Sequence, residues 1–116
     1  MGLNTLKKQL LVDEPMSGTF STEWIDCLHL TSGSFSFVWS AGSTPVGVNR
    51  LYISNEPTHS DEQELVLSDT LAISGSSGVN IANVDVIPCR YIKLSYVRTS
   101  GDGTANVYFV GKGDAN

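Results

Sequence analysis

Basic residues are scarce in this chain: seven Lys and Arg stand against twelve Asp and Glu over 116 residues, a formal charge of −5. Binding to a phosphate backbone needs a concentrated positive surface, and beyond Lys7-Lys8 the cations are scattered. Nucleic acid is therefore excluded as the expected partner. Long apolar runs are missing too, and nothing approaches the ~20 consecutive residues of a membrane span. Met1 to Val12 offers only Leu10-Leu11-Val12 behind its two lysines, which lacks a signal-peptide core. The composition reads as a soluble protein made in a cytoplasm. Cys27 and Cys89 are the only cysteines, and in that compartment they are expected as reduced thiols that pack as small apolar side chains.

Histidine is equally sparse. With only His29 and His59, a nucleophilic site has few bases to draw on, and no serine sits in a Gly-x-Ser-x-Gly elbow. A hydrolase is disfavoured on both counts. Cys27-Leu-His29 could contribute to a metal set with Cys89 or His59, but structural zinc sites bring two closely spaced ligand pairs and here there is one at most. Glu56, Asp61, Glu62 and Glu64 lack the alternating ladder and turning glycine of a calcium loop, so the acidic 55–64 stretch reads as a solvated loop. Gly101-Asp-Gly103 is not followed by a helix and reads as a turn rather than a phosphate cradle. No catalytic residue, metal or other cofactor is expected, and the chain is read as a non-enzyme.

What the sequence does contain is alternation. Arg90 to Val97 and Thr104 to Gly111 are β-branched and aromatic runs of period 2, joined by Arg98-Thr-Ser-Gly-Asp-Gly103, and they read as a long antiparallel hairpin. Further short runs recur near 23–30, 34–40, 48–54, 65–73 and 79–86, separated by Gly, Ser, Pro, Asn or Asp. No helical pattern intervenes. The spacing predicts an all-β fold, an antiparallel β-sandwich or jelly-roll-like domain of about seven to eight strands. A chain of this length buries about 65% of its unfolded surface, enough for one domain without disulfides.

Two domain segments follow. Leu3, Leu6 and Leu10 have helix-like spacing, but ten residues are too few for an isolated helix, and Pro15 interrupts the pattern. Residues 1–18 are therefore read as an N-terminal arm and 19–116 as the sandwich. Within it, Phe35, Phe37 and Trp39 share one strand face and are expected in the core. Trp24, at the edge of a run, is the better candidate for an exposed aromatic. Trp24, Asn55 and His59 are the candidate ligand or partner contacts.

The order of Ser34-Phe-Ser-Phe-Val-Trp39, Thr44-Pro-Val-Gly47, Leu51-Tyr-Ile-Ser-Asn55, Gly75-Ser-Ser-Gly78 and Arg90-Tyr-Ile-Lys-Leu-Ser-Tyr-Val-Arg-Thr-Ser-Gly-Asp-Gly103 resembles small virion structural proteins of bacteriophages and related viruses. The likeness spans residues 34 to about 112. It implies a capsid decoration, spike or minor capsid component, or a tail part, made in the host cytoplasm and carried in the virion. Its partners would be copies of itself and other virion proteins. In such a part a free arm can add a strand to a neighbour through main-chain hydrogen bonds, which makes Leu3, Leu6, Leu10 and Leu11 the candidate interface. Arg90-Tyr-Ile-Lys-Leu94 also resembles discoidin-like carbohydrate-binding domains, and that alternative implies glycan recognition for surface or host attachment.

Overall fold

The computed structural model describes residues 3–67 and 71–114. These form eight strands and no helix: β1 (Leu3–Pro15), β2 (Phe20–Ser21), β3 (Ile25–Asp26), β4 (Ser32–Ser54), β5 (Gln63–Leu65), β6 (Ala72–Ile73), β7 (Gly78–Val84) and β8 (Tyr91–Asp114). All pairing is antiparallel, within one sheet whose spine is the β4–β8 ladder from Ser32↔Lys112 to Ser54↔Tyr91.

That spine cannot be straight. A 23-residue strand extended at ~3.3 Å per residue spans roughly 75 Å, whereas the longest axis of the molecule is 47 Å. Both strands bend at the same place. The register shifts between Ser40 and Ser43, Ser43 and Val46, and Val46 and Gly47, and each extra residue kinks the ladder and increases its twist. Thr44 (φ 46°) and Gly101 (φ 77°) take left-handed conformations at this corner. A Cβ on Gly101 would collide with the Thr44 carbonyl, so both the space and the backbone conformation call for glycine. Buried Pro45 sits where the bulges have already interrupted pairing, which is where a strand tolerates a residue without an amide hydrogen.

The corner folds the sheet onto itself as two halves. In the first half, β1 and β7 flank the early part of β4 and the late part of β8. In the second, β2 and β3 flank early β8, while β5 and β6 flank late β4. The inner faces meet in one core. Phe35, Phe37 and Trp39 lie opposite Phe109, Val107 and Ala105 and pack against Leu51, Ile73, Ile92, Leu94 and Tyr96, all buried. Phe37 and Tyr96, from different halves, stack with ring centres 5.5 Å apart, and Phe20 lies against both.

Three expectations change. The two-sheet sandwich or jelly roll is replaced by a single, strongly curled sheet. The 90–111 hairpin does not exist: Arg98 to Gly103 continues β8 and pairs with the 43–47 region of β4, itself read as a loop between two strands. Residues 3–15 are no free arm, because they form β1, laddered to β8 from Leu3↔Asp114 to Pro15↔Thr104. Leu6, Leu10 and Leu11 pack against the protein's own core, while the side chain of Leu3 lies outside the described residues. A register shift between Gln9 and Leu11 lets Leu10 and Leu11, adjacent in sequence, both reach the core.

Candidate functional site

The outer face of the second half gathers a cluster of aromatic and charged side chains. Alternation along β4 and β8 sends Leu51, Ile53, Ile92 and Leu94 inward, and Tyr52 and Lys93, directly opposed in the ladder, outward. Tyr91 opposes Asp26 of β3. The loop after β4 folds over this surface because Asp61 binds its start: the Ser54 hydroxyl and the amides of Asn55 and Glu56 donate to the carboxylate. These bonds, the Ser54 hydroxyl first, hold the Asp61 carboxyl below its ordinary value of 3.8.

His59, left-handed at φ 59°, is thereby set against Trp24 with ring centres 4.5 Å apart and planes 13° from parallel. Tyr91 meets the same imidazole edge-on at 4.9 Å. Lys93 Nζ lies 4.7 Å from the Trp24 ring centre and 5.8 Å from that of Tyr52, and it pairs with Glu62 at 3.1 Å. Arg90 lies over Tyr91 and donates through Nε and Nη2 to the two oxygens of Asp26 at 2.9 and 3.1 Å. That fork lowers the Asp26 carboxyl below its ordinary value and raises the guanidinium.

The structure thus brings Trp24 and His59 into contact, while Asn55 ties the same loop to the residue before β8, its side-chain oxygen accepting from the Arg90 amide at 2.9 Å. Sequence reasoning did not anticipate Asp26, Arg90, Tyr91 and Lys93, although the out-in-out order of Tyr91-Ile-Lys93 was visible. Three of the acids of 55–64 have local partners: Asp61 holds its own loop, Glu62 pairs with Lys93 and Glu64 with Arg50. Among the described residues no group of three His, Cys, Asp or Glu could hold a metal ion. Cys27 is buried and its thiol is pushed up to about 12, chiefly by burial, whereas His29 is exposed beside Leu6 and Leu28 in a shallow cleft of about 460 Å³.

The cluster is chemically suited to stacking and hydrogen bonding. Lys93 and Arg90 each already have a carboxylate, and the Trp24 ring is engaged by an imidazole and an ammonium. The outer face of the first half is different. There Gln9, Tyr108, Ser36 and Ile81 form one cross-strand row and Asn106, Val38 and Val79 the next, uncharged along β4 and β7. Val79 is 61% exposed and Ile81 54%. Among the described residues no helix is long and apolar enough to cross a membrane.

This architecture places the chain among all-β proteins built on one curled antiparallel sheet. The crystal structure of the SPBc2 prophage-derived protein YomS has the same fold: TM-score 0.58 at 15% sequence identity, covering 97% of this chain and 96% of that one. No protein-family model matches the sequence. No curated protein matches it either.

Proposed function

We propose that this chain is a non-enzymatic structural component of a phage particle, working in the capsid, a spike or the tail through contacts with its own copies and with other virion proteins. The observation that carries this reading is the full-length fold correspondence with a prophage-derived protein, with no large insertion on either side. The motif order from Ser34 to Thr104 points the same way. So does the uncharged β4 and β7 strip on the outer face of the first half, where Val79 and Ile81 stand exposed, since exposed apolar side chains grouped on a small protein mark a contact surface. The test is particle composition: phage particles carrying the gene are banded and washed, and their proteins identified by mass spectrometry. The chain is expected in purified particles at a fixed copy number relative to the major capsid protein. Its absence from particles, with abundant protein left in the lysate, sinks the reading.

The glycan-binding alternative draws on the Trp24, His59 and Tyr91 rings and on Asn55. Sugar stacking needs a free aromatic face, and Trp24 already carries His59 and Lys93. Binding of the intact protein to a glycan array, abolished by Trp24→Ala, would move the reading to this class.

A further inference from the structure

A sheet edge is a template for another strand, and proteins blunt their edges with charge, proline, bulges or shortness. In this fold every described edge but one is treated that way. The outer strand β1 carries Lys7, Lys8, Asp13, Glu14 and Pro15 and two register shifts. On the other edges, β2, β3 and β6 have two residues each and β5 three. The remaining edge, β7, runs Gly78-Val-Asn-Ile-Ala-Asn-Val84. It has no charge and no proline, and its seven-pair ladder to β4 has no shift. Among the described residues its far side makes no backbone hydrogen bond. Beside it, Val79 and Ile81 point away from the core.

We propose that β7 is a self-assembly edge: two copies pair antiparallel along Gly78–Val84, with Ile81 at the two-fold axis, and merge their sheets into one. This rests on the particle reading, because it names the contact by which copies associate. A second copy is the occupant that fits the chemistry. Each copy carries a charge of −5, so close approach is favoured where neither contributes charge, and β7 with its neighbouring β4 segment is such a strip. The strand is also self-complementary. Centred on Ile81, the pairing sets Val79 opposite Asn83 and Gly78 opposite Val84, and Asp85 meets Ser77 rather than its own counterpart. Main-chain hydrogen bonds supply the association, the two-fold axis closes it, and the two exposed Ile81 side chains cover one another.

Sedimentation velocity of the intact chain over a range of concentrations tests this. A dimer is expected. Ile81→Lys is expected to weaken self-association by more than about tenfold, since like charges directly opposite repel, while the circular dichroism spectrum, and the melting temperature at concentrations where the parent is monomeric, stay unchanged. As a second test on a surface without added charge, Ile81→Cys is expected to give a covalent dimer under mild oxidation with diamide, joined through position 81 in peptide mapping. A monomer at every concentration, or a dimer that Ile81→Lys leaves intact, overturns the proposal. So does a chain that is monomeric alone and protected along β7 only by a different particle protein. Presence in purified particles together with any of these results removes this contact and keeps the particle reading. Absence from particles with the β7 dimer intact removes the particle reading alone.

Discussion

The imidazole of His59 lies flat on the indole of Trp24, joining the tip of the loop after β4 to the segment before β3. Tyr91 steadies it from the edge. Aromatic pairs of this geometry contribute about 0.5–1.5 kcal/mol beyond their area. His59→Ala should therefore lower unfolding stability by about 1 kcal/mol and shift the ring resonances of Trp24 and Tyr91 in NMR spectra. Unmoved Trp24 resonances would mean that the stack does not form in solution.

Asp61 governs the other end of the same loop. Its carboxyl is held below 3.8 in the fold, so the charged form is favoured in the folded state. The stabilisation is present above the unfolded value and is lost as pH falls through the lower folded one. The Asn55 and Glu56 amides should accordingly lose their protection, relative to the intrinsic exchange rate, only as pH falls below 3.8, and at neutral pH in Asp61→Ala. Equal protection in the variant and the parent at pH 7 would contradict this role.

Glycine substitutions separate the corner from the surface. Gly101→Val places a branched side chain at φ 77° and against the Thr44 carbonyl, and strain of this kind costs about 2–4 kcal/mol. A Cβ at Gly18 would meet nothing within 4 Å, and the backbone there is not left-handed, so Gly18→Ala should change stability by less than about 0.5 kcal/mol. Chemical denaturation of the two variants measures the contrast, and comparable losses would show that the corner is not strained.

Burial raises the Cys27 thiol from 9.0 to about 12. Between these values the unfolded chain loses a proton that the folded chain keeps, so stability falls as pH rises. Near pH 10.5 this amounts to about 2 kcal/mol. Cys27→Ala should flatten that part of the stability profile. At neutral pH, Cys27 should react with thiol reagents only as fast as the protein unfolds; rapid labelling of the native chain would contradict its burial.

The all-β class was legible because period-2 runs such as Phe35-x-Phe37-x-Trp39 report a buried face directly. The continuity of β4 and β8 was not legible. Ala41 to Gly47 and Arg98 to Gly103 both have turn composition, and local rules cannot reveal that two such segments pair with each other at a shared bend. The role of β1 was hidden because Leu3, Leu6 and Leu10 imitate helix spacing while the register shift at Leu10 and Leu11 breaks the strand's alternation. At the site, Trp24, Asn55 and His59 could be selected one by one as exposed polar or aromatic residues. The meeting of Trp24 with His59 depends on Asp61 folding the loop, a contact between side chain and backbone with no periodic signal.

The strand that pairs with β1, β2, β3 and β4 is β8, the last of the eight in chain order. During synthesis, most of the sheet must wait for residues 91–114 to leave the ribosome, with Ser32 held about as long as Lys112 takes to appear. The nascent chain can assemble β4 with β7 early, but Phe35, Phe37 and Trp39 lack the Ile92, Leu94 and Tyr96 part of their opposing layer until β8 emerges. Such late, sequence-distant pairing makes for slow folding. Where many copies are translated at once, the interval between translation and closure is when these chains are most exposed to one another.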